Sequence, residues 1–295
     1  MSIIYELLFD QFFRAAPLFA NAPFDEMFIN PALDGRQPAR LFVDHAQSPR
    51  SAMLCRTYEF YLAGDPNSSV LRRFIHDAPA EIAEFQHFHG FAPLDPAWIP
   101  LLESDFPGQL MVLPRINFRW PEGRFSPDWR SHVPENVQII PVNAALAARI
   151  DTELGEAIGF FWSGYDRFEA LGYGWCSLIG DQIGSVAVTD GADNHSASIG
   201  VVTAPEFRRQ GLAELTCSAF IADTLIRGLQ PVWECEVRNT ASKYLAEKLG
   251  FVERNRFAQL SIAAPPYGPL TLSHGLWQAE SVENGIIAWR RADPA

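Results

Sequence analysis

Basic residues are scarce in this chain: 23 Lys and Arg against 35 Asp and Glu, a formal net charge of -12. A surface of that sign repels phosphate, which argues against nucleic acid or an anionic membrane as partner. Long apolar runs are also missing. No uninterrupted stretch reaches the roughly 18 apolar residues of a spanning helix. Residues 3–13 carry Glu6 and Asp10 and no basic leader, so no secretory signal is expected and the cytoplasm is the expected compartment. Cysteine is sparse, at positions 55, 176, 217 and 235, without metal-ligand spacing. Cys176, Cys217 and Cys235 sit in apolar segments and read as reduced core thiols. The nearest approach to a metal set, Glu84 with His87 and His89, has nothing to complete it and is read as structural. No metal is expected.

Bulky apolar residues, by contrast, are plentiful. The chain is 48% hydrophobic, with 22 Phe and 8 Trp in 295 residues, ample for two domains. Residues 121–136 contain three Pro and no apolar period, which marks a boundary. The expected division is a non-catalytic α+β domain over residues 1–122, a linker over 123–136, a second domain over 137–264 and an extension over 265–295. In the first part the pattern predicts an amphipathic helix over 3–15, strands over 41–43 and 52–62, helices over 70–76 and 96–103, and an extended segment over 109–120. The second part reads as a strand at 137–142, a helix capped by Asn143, two short helices over 157–162 and 165–171, and a hairpin over 173–189. The extension carries Leu276, Trp277, Ile286, Ile287 and Trp289, too apolar to float free, and is expected to pack back on the protein.

Residues 198–251 carry the chemistry. A β-branched run at Ile199, Val201, Val202 and Thr203 predicts a strand. The turn Ala204-Pro205-Glu206 follows, then Arg208-Arg209-Gln210-Gly211-Leu212-Ala213. A helix begins there, with Leu212, Leu215, Ala219, Ala222 and Ile226 on one face. A second strand over 232–237 leads to a second helix over 239–249, stopped by Gly250; a last strand is expected over 256–262. A strand running into a helix start leaves backbone N–H groups unpaired at the positive end of the helix dipole. That is an anion site. Gly211 and Ala213 lack bulk, so a phosphate can approach, and Arg208 and Arg209 add positive charge. The alternative is an ordinary strand–turn–helix with a solvated basic turn, and short glycine motifs alone do not separate the two.

Arg208-x-x-Gly211-x-Ala213 resembles the pyrophosphate loop of the GNAT (Gcn5-related) N-acetyltransferases. Asn239, Ser242, Leu245, Lys248, Gly250 and Phe251 stand where that family has its second block. Trp233-Glu234-Cys235 and the run from Leu245 to Phe251 are closest to a zwittermicin-resistance-like acetyltransferase subgroup. The resemblance covers about residues 173–260. It implies an α+β fold with a mixed, splayed central sheet flanked by helices, preceded here by a smaller α+β domain of degenerate, related shape. It also implies acetyl-CoA as cosubstrate, with the arm along Val201, Val202 and Thr203 and near Asn239 and Ser242. The pyrophosphate would lie on Arg208, Arg209, Gln210, Gly211, Leu212 and Ala213.

The implied reaction is direct attack by an amine on the thioester, with the Val202 N–H as oxyanion donor. The family's tyrosine acid is absent: Ala246 occupies its place, and Tyr244 lies about 200° around the helix. Glu236 is the candidate base, acting through water, and a plain surface carboxylate is its alternative. Asp190 and Asp193 either anchor a cationic acceptor or serve the turn in which they lie. Three functions stay open: N-acetylation of a small-molecule amine, N-acetylation of a protein or peptide, and a non-catalytic acyl-CoA-binding module. A homodimer is compatible with each.

Overall fold

Alternating β-branched and aromatic residues build this protein around strands. The computed structural model describes residues 2–24, 28–56, 59–77, 90–123, 128–262 and 277–291. The cluster of Glu84, His87 and His89 lies outside them. In chain order the elements are β1 (Ile3–Leu7), α1 (Asn30–Leu33), β2 (Arg40–Val43), β3 (Ser51–Arg56), β4 (Glu59–Gly64), α2 (Ser69–His76), β5 (Gly90–Pro93), α3 (Trp98–Asp105) and β6 (Leu110–Arg119). Then come β7 (Val137–Pro141), α4 (Ala144–Leu154), α5 (Ile158–Trp162), α6 (Tyr165–Leu171), β8 (Gly174–Ile179), β9 (Gln182–Ala192) and β10 (Ser196–Thr203). The series ends with α7 (Leu212–Ile226), β11 (Gln230–Glu236), α8 (Thr240–Leu249), β12 (Val252–Ile262), β13 (Trp277–Glu283) and β14 (Ile286–Arg291).

The chain forms two compact units, Met1–Pro114 with Phe257–Ala295, and Arg115–Arg256. The element order of the first half recurs in the second: four strands in antiparallel succession, a helix, a strand parallel to the fourth, a helix and a closing strand. The closing strands are exchanged. β6 ends the first series but its residues 115–119 pair with β11 inside the second unit, and β12 ends the second series but pairs with β5 inside the first.

The first unit has the strand order β13-β14-β1-β2-β3-β4-β5-β12. Phe42, Phe60, Phe74, Phe91, Trp98 and Trp277 fill one face and Phe12, Phe19, Phe24, Leu54 and Tyr61 the other. Each such side chain contributes about 1.5–3 kcal/mol by leaving water. The extension folds back, since β14 pairs with β1.

Two expected elements are corrected here. The helix over residues 3–15 is a strand, β1, followed by a 3-10 helix at Phe9–Arg14. Its period misled because Glu6 is buried: Arg40 donates to both Glu6 oxygens at 2.8 Å and Trp289 Nε1 to one at 2.9 Å. Pairing with β2 and β14 then outweighs local helical spacing. The single strand over 52–62 is two strands, β3 and β4, with Arg56 opposite Glu59. Both are buried on two faces and carry no glycine or asparagine at the reversal, so the run reads as continuous.

The second unit has the strand order β6-β11-β10-β9-β8-β7. Val186, Val188, Trp162, Phe168 and Ile150 pack one face of the sheet against α4, α5 and α6. Ile199, Trp233, Cys235, Phe220 and Phe251 pack the other against α7 and α8. Asn143 caps α4 as expected, its Oδ1 accepting from Leu146 N at 2.8 Å. α7 departs from its expected single face. Thr216, Cys217, Ser218, Phe220 and Ile221 are buried as well, whereas Ile226 is 83% exposed. Small residues let this helix sink between sheet and neighbours.

All four cysteines are buried and reduced. Burial pushes the Cys176 thiol up to about 12, and raises Cys217 further. Native protein at pH 8 is therefore expected to show no rapidly reacting thiol toward an aromatic disulfide reagent, and four after denaturation. A fast native equivalent would contradict the packing.

Candidate active site

Parallel strands β10 and β11 pair only at their first residues: Ser196 with Gln230, Ala197 with Pro231 and Ser198 with Val232. Beyond that, β10 stays paired to β9 as far as Thr203, and β11 to β6 as far as Glu236. The facing edges from Ile199 and Trp233 onward thus diverge, and backbone groups there lack strand partners. The gap is a cleft of about 500 Å³, lined by Ile199, Gly200 and Val201 of β10, Trp233 to Glu236 of β11, Arg115, Asp190, and Arg238, Asn239 and Ser242 near α8. No comparable breach exists between β4 and β5, where every residue of β5 is paired and Leu94 N continues the ladder to Leu62 O at 2.8 Å.

Alternation decides which β10 amides face the cleft. Ala204 N donates to Gly184 O at 2.9 Å, so Ala204 and every second residue before it turn toward β9. Val202 is one of these, and its carbonyl accepts from Ser185 Oγ at 3.0 Å. The N–H expected to meet an oxyanion, that of Val202, therefore points into the sheet; those of Val201 and Thr203 face the cleft. Neighbouring residues of a strand present opposite edges, and the sequence alone does not say which.

The turn before α7 holds the other half of the site. Arg208, Arg209, Gln210 and Gly211 are exposed. Arg209 at φ 62 and Gly211 at φ 80 take left-handed backbone, unusual for an arginine and a frequent sign of a functional turn. A Cβ at Gly211 would meet nothing within 4 Å. Among the described residues no hydrogen bond takes up the N–H of Arg209, Gln210, Gly211, Leu212 or Ala213. Arg208 Nε reaches back to Thr203 O at 3.3 Å, and Gln210 Nε2 to Glu206 O at 3.2 Å. Leu212 contributes only its N–H, since its side chain is core. Open space, five donors and two guanidinium groups at the start of a 15-residue helix suit a pyrophosphate.

At the start of α8, Asn239 Oδ1 accepts from Ser242 N at 3.1 Å, so a ligand in the cleft meets only its Nδ2 donors. Ser242 Oγ accepts from Trp233 Nε1 at 3.0 Å, which fastens α8 to β11. Asn239→Asp separates the two roles of that residue. It keeps the cap, so the unfolding free energy is expected to stay within about 0.5 kcal/mol, while acetyl-CoA affinity falls roughly tenfold for loss of the donors. Calorimetry beside a thermal melt checks both. Ala246 is fully buried and Tyr244 is 67% exposed, and neither is among the residues that line the cleft.

The carboxylates occupy the opposite face. Trp233 and Cys235 belong to the α7–α8 side, which turns Glu234 and Glu236 to the other. Arg115 pairs with Glu234, and Arg238 Nε lies 2.5 Å from Glu236 Oε2. Arg115 was not legible as a site residue, because its strand comes from the first half of the chain. Among the described residues no His, Cys, Asp and Glu group could hold a metal ion.

The sequence profile of GNAT acetyltransferases matches residues 16–260. The chain is 22% identical over 253 residues to the uncharacterized N-acetyltransferase YdfB of Bacillus subtilis (strain 168), covering 85% of this chain and 95% of that protein. A GCN5-related N-acetyltransferase-like protein from Streptococcus suis 89/1591 shares the fold with a TM-score of 0.70 at 24% identity, over 86% of this chain and 99% of that one. A tandem GNAT protein from the clavulanic acid biosynthesis pathway aligns with a TM-score of 0.56 at 12% identity, over 89% and 99%.

Proposed function

The chain belongs to the GNAT acetyltransferase family, and from that premise we propose that it transfers an acetyl group from acetyl-CoA to a primary amine of a small molecule, by direct attack within a ternary complex. The observation that carries this reading is the breach between β10 and β11 beside an open, donor-rich turn. Acetyl-CoA supplies an activated thioester. The N–H groups of Arg209 to Ala213 hold its pyrophosphate, with Arg208 and Arg209 as counter-charges. Val201 and Thr203 present backbone edges to the pantetheine arm, and the Val201 N–H stands in for that of Val202 as the oxyanion donor. Asn239 donates to the arm through Nδ2, and Ser242 keeps α8 in place behind it.

Glu236, held by Arg238, draws a water toward the amine and receives its proton through that water. The amine lone pair forms the C–N bond as the C–S bond breaks. The second proton passes to the thiolate from water, since Ala246 leaves no side-chain acid there. Calorimetry with acetyl-CoA and with dephospho-CoA tests the site first. Micromolar binding of both is expected, because both carry the pyrophosphate; thiol release with a panel of primary amines follows. Absence of acetyl-CoA binding at millimolar concentration would overturn the reading.

A further inference from the structure

The proposed coenzyme spans two elements, the backbone edge of β10 and the turn before α7. A ligand that grips both gains from the second grip only if their spacing fits it. Arg208 joins the two at the surface, its Nε reaching Thr203 O at 3.3 Å. The buried connection lies underneath, on β9.

β9 carries an extra residue. Its pairing with β8 shifts from Ser177–Ser185 to Leu178–Ile183, so Gly184 forms a bulge. The bulge reverses the side-chain alternation. Ile183 and Val186, three apart, both pack on the α4–α6 side, while Ala187, and with it Ser185, turns to α7. Ser177 Oγ takes over the ladder where the bulge breaks it, accepting from Ser185 N at 2.7 Å and donating to Ser185 O at 3.2 Å. Gly184 faces α7 too. A Cβ there would stand 2.7 Å from Leu212 Cδ1 and 2.9 Å from Ser177 Oγ, so its absence seats the first residue of α7 against the strand. The Gly184 carbonyl meanwhile accepts from Ala204 N at 2.9 Å, at the end of β10.

Ser185 is the junction. It is fully buried, as are Ser177 and Thr216. Its Oγ donates to Val202 O at 3.0 Å and lies 2.9 Å from Thr203 Oγ1, both on β10. From the other side Thr216 Oγ1, on α7, approaches the same oxygen at 3.4 Å. Thr216 Oγ1 also lies 3.1 Å from Leu212 O and 3.2 Å from Ala213 O. Leu212 O belongs to the same rigid peptide as the Ala213 N–H, one of the donors of the turn, so a hold on the one fixes the direction of the other. Buried hydroxyls cost free energy unless bonded, and these are bonded to one another and to the two elements the coenzyme spans.

We propose that Ser185 and Thr216 are positioning residues for the coenzyme: the hydroxyl pair, brought together by the bulge at Gly184, fixes the spacing between the amide edge of β10 and the first turn of α7. The inference rests on the acetyl-CoA reading above and adds what sets the geometry of its two halves. Both residues are fully buried, so they act through the backbone they hold.

The test is calorimetry on the full chain with acetyl-CoA and with ADP, which carries a pyrophosphate but no arm, beside a thermal melt to establish that each variant is folded. Wild type is expected to bind both, acetyl-CoA the more tightly. Ser185→Ala should weaken acetyl-CoA about fivefold, as loss of one buried hydrogen bond does, and leave ADP unchanged, because ADP needs the turn alone. Thr216→Val keeps the shape without the hydroxyl and should also weaken acetyl-CoA about fivefold; Thr216→Ser restores the hydroxyl and should bind as wild type does. The double variant should be no weaker than either single one, since the two share one contact. Thr216→Val against Thr216→Ser carries the test if Ser185→Ala does not fold. Unchanged acetyl-CoA affinity in the folded variants, an ADP loss equal to the acetyl-CoA loss in Ser185→Ala, a Thr216→Ser variant as weak as Thr216→Val, additive losses in the double variant, or wild type that binds acetyl-CoA but not ADP would each overturn the inference while acetyl-CoA still binds. Failure of wild type to bind acetyl-CoA would overturn the acetyl-CoA reading itself.

Discussion

Gly211→Glu is expected to abolish acetyl-CoA binding while leaving the protein folded. A Cβ at this position meets nothing within 4 Å, so no clash is introduced. The residue sits at φ 80, which costs an L-amino acid about 1–2 kcal/mol, but Arg209 already bears the same left-handed backbone two residues earlier. The new carboxylate would stand among the N–H groups of the turn and occupy the place of a phosphate. As a tethered anion it competes at millimolar effective concentration or above, and it repels the pyrophosphate besides. A loss of at least about a hundredfold in affinity is expected by calorimetry, with the thermal midpoint lowered only by the backbone strain. Gly211→Ala carries that strain without the charge and is expected to lose less than about tenfold. Unchanged affinity in folded Gly211→Glu would remove the phosphate site.

Much of this site was legible because its determinants are local. The turn from Arg208 to Ala213 and its flanking strand and helix are specified by neighbours in sequence; residue type and spacing marked a candidate anion site, and the family resemblance chose between that and a plain basic turn. What was not legible depends on partners far away. Which amides of β10 face the cleft follows from its register with β9, and that register turns the Val202 N–H into the sheet and the Val201 N–H toward the cleft. Glu234 has Arg115 beside it only because β6, drawn from the first half, pairs with β11. The strand β1 was hidden for the same reason: Glu6 marked a polar face for local periodicity, but Arg40 and Trp289 satisfy it in the core. The bulge at Gly184 left only a weak mark, a lone glycine inside a strand pattern, and that mark also fits an ordinary strand.

Phe220→Ala is expected to have the opposite signature to Gly211→Glu: stability lost, affinity kept. Phe220 is fully buried on the inner face of α7 and stacks on Tyr173 with ring centroids 5.0 Å apart and planes at 21°. Tyr173 is tied to α7 in turn, its hydroxyl 2.8 Å from Thr224 Oγ1. Removing the ring leaves a cavity under the helix that carries the phosphate turn, and such truncations cost about 3–5 kcal/mol. For a unit of this size that lowers its unfolding midpoint on the order of 10 °C. No residue of the turn belongs to the cluster in which Phe220 is buried, so molecules that remain folded should bind acetyl-CoA as wild type does. Ligand at a hundred times its Kd returns about 2.7 kcal/mol, and should recover much of the lost midpoint. A loss below about 1 kcal/mol would mean that α7 closes over the missing ring and does not depend on it. A weakened affinity in the folded variant would mean that the turn is held by the packing of α7, and that the N–H groups are aligned from beneath as well as by the backbone of Arg209 and Gly211.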